Sequence, residues 1–390
     1  MKENQPRRVC IFCECWESGG IESFLLSALS DMNLEGMEID IVVSQLKGGI
    51  FLEKAAELGI NFRELSGSQR KLFKNYRSFG KILKERGYDV IHLNIFHALS
   101  FVYGAIAKGF GVKKRIVHSH NTDLRKTAAK KVKIAVHNIS KHIFYRCFTD
   151  YWACSSAAAR FMFPKKITDN DRYSFIPNGI DIERFTFDKE KRFAFREKLK
   201  IGDKPLIVNI GRLTEQKNQS FLLDAVNVLA KRNMEFVLLL AGEGDKGKLD
   251  ELKEKAENLG IADKVVFYGA TSDIPSVLSA ADVLAFPSLF EGLGIVTIEA
   301  QAAALPVVCS ENIPDEAFVT DYIASVGLNA EEWANALEGA FRADRTSDTA
   351  SLIKSKGYDI KSVAGRIENS YRGLEQNERG SFDFRDRSDI

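Results

Sequence analysis

Along almost the whole chain, short strand-like apolar runs alternate with stretches of helical apolar spacing. The alternation stops once, at a proline and glycine cluster, and then starts again. The first set of runs is 8–13, 39–44, 89–95, 115–119 and 151–154, with helical spacing at 21–29, 72–83 and 132–148. The cluster is Phe175-Ile-Pro-Asn-Gly-Ile-Asp181, followed by a charged helical connector over 188–200. The second set is 205–210, 236–240, 264–267, 282–286 and 306–309, separated by helices at 218–231, 246–259, 274–280 and 295–303. Strands separated by helices demand parallel sheets covered on both faces. The pattern therefore predicts an α/β protein of two doubly wound Rossmann-like domains facing a central cleft, with ligands outside the carboxyl ends of the strands. The expected boundaries are 1–187, 188–358, a helix at 359–376 crossing back to the first domain, and a polar tail at 377–390 expected to be disordered.

A length of 390 residues suits two or three domains, and 45% apolar with 28% charged residues is ordinary for a soluble protein. No apolar run approaches the ~18 residues of a membrane span. The opening Met1-Lys-Glu-Asn-Gln-Pro-Arg-Arg8 lacks a signal-peptide core, so a cytoplasmic protein is expected. The net charge of +2 hides an asymmetry: residues 1–187 hold 29 Lys and Arg against 19 Asp and Glu, and the remainder 26 against 34. A basic first half suits an anionic partner such as a membrane surface, a lipid diphosphate or nucleic acid; a solvated surface explains it equally. The stretch 125–146 carries seven basic residues and no acid, with Ile134, Val136, Ile139, Ile143 and Phe144 interleaved. A basic amphipathic helix of this kind can lie on an anionic membrane from Lys126, Lys130, Lys131 and Lys133, at the inner face of the plasma membrane, and a second basic run at 70–86 reinforces this. Nucleic acid is disfavoured, because no aromatic platform accompanies the charge. Cys10, Cys13 and Cys15 invite a zinc reading, but they fall on a strand with alternating faces and no second cysteine pair follows.

Between Phe286 and Glu299 the chain reads Phe-Pro-Ser-Leu-Phe-Glu-Gly-Leu-Gly-Ile-Val-Thr-Ile-Glu. A buried strand, a glycine turn and a helix N-terminus in that order make an anion site, flanked here by Glu291 and Glu299. An eight-residue step on a helix spans about 12 Å, so one acid can meet a nucleotide's ribose while the other meets its far end. Ile210-Gly-Arg-Leu-Thr-Glu-Gln-Lys-Asn218 ends the first strand of the second half and brings Arg212 and Lys217 towards that turn. Two fixed cations plus a helix N-terminus can neutralise a diphosphate without a metal. Gly19-Gly20-Ile21-Glu22 follows the first strand and allows close backbone approach to a ligand, or simply a tight turn. Val117-His-Ser-His-Asn-Thr122 ends another strand. Alternation puts His118 and His120 on one face, so periodicity does not choose between them. A metal pair with His92 or His97 lacks an evident carboxylate partner. Gly242-Glu-Gly-Asp-Lys-Gly247 imitates a dinucleotide fingerprint, but the next strand ends Phe267-Tyr-Gly-Ala-Thr271 without the acid that fingerprint requires.

These motifs, with Ala153-Cys-Ser155 and the 176–181 cluster, closely resemble glycosyltransferase family 4, the group 1 retaining enzymes of the GT-B fold, and most resemble the branch that builds bacterial exopolysaccharide and capsule. The resemblance implies a hexosyltransferase needing no metal or other cofactor. It would move a hexose or N-acetylhexosamine from a nucleotide sugar, with UDP the expected nucleotide, to a lipid-linked saccharide. It implies that Arg212 and Lys217 support the leaving diphosphate with the N–H groups of Gly294 and Ile295, that Glu291 holds the donor sugar and Glu299 the ribose, and that His120 positions the sugar from the opposite lobe. Gly19, Gly20, Gly242, Tyr268, Gly269, Gly292 and Leu293 would line the donor pocket, with Glu22, Asn121 and Arg125 on the acceptor side. Relatives usually carry proline at position 294 and glycine at 304, where this chain has Gly294 and Ala304. Two other readings remain: a nucleotide-sugar epimerase of the same fold, and a non-catalytic partner subunit binding nucleotide or lipid.

Overall fold

The computed structural model describes residues 5–16, 20–46, 51–67, 71–124, 130–345 and 348–374. In the first lobe the order is β1 (Arg7–Cys13), α1 (Gly20–Ser30), β2 (Met37–Val43), α2 (Phe51–Glu57), β3 (Asn61–Glu64), α3 (Leu72–Arg86), β4 (Val90–Ile95), α4 (Phe101–Gly109), β5 (Lys114–Ser119), α5 (Lys130–Phe144), β6 (Asp150–Ala153), α6 (Ser156–Met162), α7 (Lys165–Thr168) and β7 (Tyr173–Phe175). After α8 (Ile182–Phe185) and α9 (Lys189–Leu199) come β8 (Leu206–Ile210), α10 (Gln219–Lys231), β9 (Val237–Ala241), α11 (Lys246–Asn258), β10 (Val265–Gly269), α12 (Ile274–Ala280), β11 (Val283–Phe286), α13 (Ile295–Ala302), β12 (Val307–Ser310), β13 (Ile323–Val326), α14 (Ala330–Ala340), α15 (Thr349–Ser355) and α16 (Ile360–Arg372).

Among the described residues, parallel strands form a seven-stranded sheet in the order β3-β2-β1-β4-β5-β6-β7 and a six-stranded sheet in the order β10-β9-β8-β11-β12-β13. Strand order reverses between β1 and β4 in one sheet and between β8 and β11 in the other. The loops leaving those strand ends part to opposite faces there, which opens a crevice at each switch point. Central strands such as β4 and β8 are buried along their whole length, because helices cover both faces. Helices α3, α4 and α5 pack side by side on one face of the first sheet, with α1, α2 and α16 grouped on the other.

The alternation seen in the sequence is present, with additions at the edges. β3, β7 and β13 are short and none of their residues is buried, so they carry no apolar alternation to read. The helix expected over 132–148 starts at Lys130 and ends at Phe144, passing into a 3-10 turn at Tyr145–Cys147. The chain crosses to the second lobe at Ile180, ahead of residue 187, since α8 already packs on α13 and α15. The return crossing pairs with it directly: Ile180 N donates to Tyr358 O (2.8 Å) and Ile360 N to Ile180 O (2.9 Å). A Cβ on Gly179 would come within 3.0 Å of Ile360 Cα, so only glycine lets these two backbones meet. α16 then docks on the first lobe, where Arg7 Nη1 donates to Arg372 O (3.0 Å) and Asn33 N to Glu368 Oε2 (3.0 Å). All six cysteines are free thiols, and no group of three or more His, Cys, Asp or Glu able to hold a metal occurs among the described residues.

Candidate active site

The floor of the cleft is built at the β8/β11 switch point. Gly211, after β8, takes φ +148° and Gly242, after β9, φ +150°. A Cβ on Gly242 would lie 2.1 Å from Gly211 O, so the two strand ends approach more closely than side chains allow. A Cβ on Gly211 would sit 3.0 Å from Lys217 Cε, and its absence leaves a path for the lysine stem. Lys217 follows that path to Glu291, with Nζ 2.7 Å from Oε1 and 4.6 Å from the centre of the Phe286 ring. The supporting loops are stitched together: Leu289 N donates to Gln216 O (2.8 Å) and Gln216 Nε2 to Phe290 O (2.9 Å). Arg212 is exposed beside them, and its carbonyl accepts from Gln219 Nε2 (3.1 Å).

Gly294 caps α13 at φ +81°, with its carbonyl accepting from both Thr297 N (2.8 Å) and Thr297 Oγ1 (2.7 Å). A proline, fixed near −65°, could not adopt this conformation. Ala304, the other departure, takes φ +47°, the left-handed conformation in which the relatives' glycine carries no Cβ penalty. The first N–H groups of α13 have no intrahelical acceptor and carry the positive end of the helix dipole. One turn on, Glu299 is half-buried. Burial pushes its carboxyl up to about 7, a rise that the Arg184 guanidinium only partly offsets.

The first lobe closes over this floor. A Cβ on Gly20, at the start of α1, would be 3.9 Å from Ile295 Cγ2, so two helix N-termini converge on one spot. Thr122 Oγ1 donates to Glu291 O (2.7 Å), Ser155 Oγ donates to Gly292 O (2.5 Å), and Ser156 N donates to a Glu316 carboxylate oxygen. A Cβ on Gly292 would stand 2.0 Å from His120 O, which makes this glycine a condition of closure. Thr122, Ser155 and Glu316 were not singled out from the sequence. Thr122 and Ser155 stand inside quoted motifs, but their partners lie 169 and 137 residues away in the chain.

The structure separates the two histidines that periodicity could not. His118 lies deeper. Its Nε2 meets Ile176 O at 3.1 Å and must carry the proton, so Nδ1 accepts from His92 Nε2 (3.3 Å) and His92 Nδ1 in turn accepts from Tyr371 Oη of α16 (2.6 Å). Burial holds all three imidazoles neutral, with His92 and His120 lowered to about 3 and His118 also well below its ordinary value. His120 lies nearest the cleft, yet its ring is committed: Nδ1 is 3.1 Å from Asn178 Oδ1 and Nε2 2.9 Å from Asn94 Oδ1. A neutral ring donates once, and Asn94 Nδ2 is buried without a partner, so turning the Asn94 amide satisfies both groups. The group that His120 presents to the second lobe is its main-chain carbonyl, a correction to the expectation that its imidazole is available to a sugar hydroxyl.

Other expected site residues fall as follows. Leu293 is buried. Glu22, in the first turn of α1, is buried and has a partner. Asn121 Nδ2 donates to Phe96 O (3.4 Å) and Asp123 O, bracing the loop after β5. Gly269 O accepts from Gly242 N (2.8 Å), whereas the Tyr268 ring packs on Phe195 of α9 and its hydroxyl accepts from Lys198 Nζ (2.8 Å). The Tyr268 side chain thus packs against α9. Gly19, Arg125 and Lys126 lie outside the described residues. An unexpected polar pair stands at the first-lobe switch point: Glu14 accepts from Ser100 Oγ and lies 3.5 Å from His97 Nε2.

Known glycosyltransferases resemble this chain in sequence and in fold. Residues 18–184 match the family model described as Glycosyltransferase Family 4, and residues 190–349 the one described as Glycosyl transferases group 1. A putative glycosyltransferase EpsF of Bacillus subtilis is 28% identical over 380 residues, covering 94% of this chain and 97% of the relative. A UDP-Gal:alpha-D-GlcNAc-diphosphoundecaprenol alpha-1,3-galactosyltransferase of Escherichia coli is 28% identical over 62% of each chain. Among solved structures, Anabaena HepE in complex with UDP-glucose superposes with a TM-score of 0.77 at 20% identity, covering 94% of this chain and all of that one.

Proposed function

Since this chain belongs to the group 1 glycosyltransferases of the GT-B fold, we propose that it moves a hexosyl or N-acetylhexosaminyl group from a nucleotide sugar to a lipid-linked saccharide, with retention at the anomeric carbon, in the synthesis of exopolysaccharide, capsule or a related surface glycan. The observation that carries this reading is the convergence of Lys217, Glu291 and the N-termini of α1 and α13 beneath a closed interlobe contact. Such a spot suits a diphosphate flanked by a sugar. UDP is the nucleotide we favour, because the E. coli relative is named for a UDP-sugar and HepE was solved with UDP-glucose. The lipid-linked acceptor follows the diphosphoundecaprenol of that relative's name.

In this mechanism the cost of breaking the anomeric bond is the charge left on the diphosphate. Lys217 and the α13 dipole stabilise that charge where it develops, with Arg212 reaching in from the exposed side. Glu291 has two tasks: it holds Lys217 in line before the donor arrives, and it accepts hydroxyls of the transferred sugar. Glu299 accepts the ribose hydroxyls. The departing phosphate takes the acceptor's proton, and the closed lobes exclude water that would otherwise hydrolyse the donor. No metal is called for in this scheme, since fixed cations and amide dipoles do the neutralising.

The test is a screen of nucleotide sugars by thermal shift, followed by mass spectrometry of products with lipid-linked acceptors. Lys217→Ala and Arg212→Ala should each lower kcat/KM by about 100-fold or more. Near-wild-type turnover in both would reject the reading, and an epimerised nucleotide sugar formed without acceptor would replace it with the epimerase.

A further inference from the structure

The first sheet has its own switch point, between β1 and β4, and the polar groups around it are incompletely paired. Glu14 directly follows β1, and its side chain is only 21% exposed. Among the described residues no Lys or Arg pairs with it. Its carboxylate accepts from Ser100 Oγ, just ahead of α4, and His97 Nε2, from the loop after β4, stands 3.5 Å away, just beyond hydrogen-bond length. The other ring nitrogen of His97 is buried with no partner. A carboxylate taken largely out of water is normally matched by a fixed cation or several donors, so this pair is short of donors. No third His, Cys, Asp or Glu joins it to make a metal site among the described residues. Aromatic side chains stand beside the acid. Half-buried Tyr76 of α3 packs edge-on to Tyr103 of α4 at 5.2 Å. Burial, and after it the Glu14 charge, pushes the Tyr76 phenol up, so ring and carboxylate lie within electrostatic reach of each other.

We propose that Glu14 sets acceptor specificity: its carboxylate binds an uncharged pyranose of the acceptor through hydroxyls that donate to it, and turns away a sugar that carries a carboxylate or phosphate there. The inference rests on the glycosyl-transfer reading above for its setting, and adds the chemical class of the sugar accepted. A carboxylate only accepts, so it selects donors, and sugar hydroxyls are donors. A hydroxyl seated between Glu14 and His97 can donate to the first and accept from the Nε2–H of the second, closing the gap that the pair leaves. The C–H face of the same pyranose then meets the Tyr76 ring. Apolar lining with a few placed polar groups is the usual build of a small-molecule site. Position fits the role, since ligands of an open parallel sheet lie outside its carboxyl ends at the switch point. Asn121 Nδ2 donates to Phe96 O (3.4 Å), one residue before His97. On either side of Asn121, the His120 carbonyl abuts Gly292 and the Thr122 hydroxyl donates to Glu291 O, both in the second lobe. The acid is therefore one loop removed from the donor turn, on the lobe that faces it. A second carboxylate about 4 Å from Glu14 would meet repulsion worth on the order of 100-fold in affinity.

The experiment is calorimetric titration of octyl glycosides into the full chain, with and without saturating UDP. The neutral probes are the glucoside, galactoside, mannoside and N-acetylglucosaminide, and the charged probe is the glucuronide. Wild type should bind at least one neutral glycoside and exclude the glucuronide. Glu14→Gln should weaken the neutral glycoside about 10- to 100-fold, the loss of hydrogen bonds to a charged group, and should admit the glucuronide. A residue that only shaped the loop would leave that ratio unchanged. Ser100→Ala, which loosens the carboxylate without discharging it, should weaken the neutral glycoside and keep the exclusion. Tyr76→Leu should weaken every glycoside that binds. Titration of UDP alone reports on the fold of each variant and on the glycosyl-transfer reading. Wild type that binds UDP but no neutral glycoside overturns the inference and leaves that reading standing. Wild type that fails to bind UDP rejects the reading, and the titrations without UDP still decide for or against Glu14. Glucuronide bound by wild type as well as its neutral counterparts, glucuronide still excluded by Glu14→Gln, or neutral affinity indifferent to both Glu14→Gln and Ser100→Ala also overturns the inference.

Discussion

Replacing Glu299 by glutamine should make the protein more stable and worse at binding its donor. The carboxyl sits in α13, half-buried, with burial raising it from 4.5 to about 7. The sign follows from proton counting. Between pH 4.5 and 7 the folded state holds a proton that the unfolded state has lost, so Glu299 withdraws stability as pH rises through that window. The rise is worth at most ~3.4 kcal/mol at 1.36 kcal/mol per tenfold, and partial solvent access cuts this to about 1–2 kcal/mol. Urea unfolding of wild type and Glu299→Gln at pH 5 and pH 8 isolates the group, because every other titration cancels in the difference. The buried histidines contribute with the opposite sign, since their depressed values withdraw stability as pH falls below 6.5. The variant should gain about 1–2 kcal/mol on wild type between the two pH values. Ribose hydroxyls that donate to the carboxylate would favour its charged form, so wild-type UDP affinity should be about tenfold weaker at pH 6 than at pH 8, and the variant weaker and flat. Parallel pH dependence of stability in the two proteins would refute the burial argument, and a flat wild-type affinity would refute the ribose assignment.

Two further outcomes follow from the contacts. Gly292→Ala places a methyl 2.0 Å from His120 O. The lobes must then stand apart, and a displacement of ~1 Å costs on the order of 100-fold in turnover; calorimetry should still find UDP binding, as the floor is untouched. Tyr371→Phe leaves His92 Nδ1 buried without its donor, a loss of about 1–3 kcal/mol visible in denaturation, with turnover per folded molecule retained.

Much of the architecture was legible because both sheets are covered on two faces. β1, β4, β8 and β9 are apolar runs, β8 and β9 end directly at Gly211 and Gly242, and the returning α16 shows a clean amphipathic period. Edge strands β3, β7 and β13 were illegible, since residues that are not buried need no apolar alternation. α4 escaped notice for the converse reason: Phe-Val-Tyr-Gly-Ala-Ile-Ala follows a strand with no polar residue to mark a period. At the site, the glycine turn and the approach of Lys217 to it could be anticipated, because residue type and spacing fix what a helix N-terminus can do, whereas the Lys217–Glu291 ion pair was not. That both ring nitrogens of His120 are engaged could not, because Asn94 reaches it from β4 and Asn178 from the loop after β7, 26 and 58 residues distant. Nor could the polarity of α5, which buries His137 and Ser140 and leaves Val132, Val136, Ile139 and Ile143 exposed beside Lys131 and Lys133, since the same apolar spacing suits either side of the helix.

The paired crossings at Ile180 and Asp359 give the polypeptide a nested plan: one lobe is a continuous insertion within the other. A ribosome completes the inserted lobe first. The outer lobe cannot finish until α16 emerges, because the hydroxyl that satisfies His92 is delivered only by Tyr371. Half-made chains would thus expose a ready nucleotide-binding unit beside an unfinished neighbour, and a stop codon shortly before Tyr371 would harm the lobe that contains the opposite end of the chain.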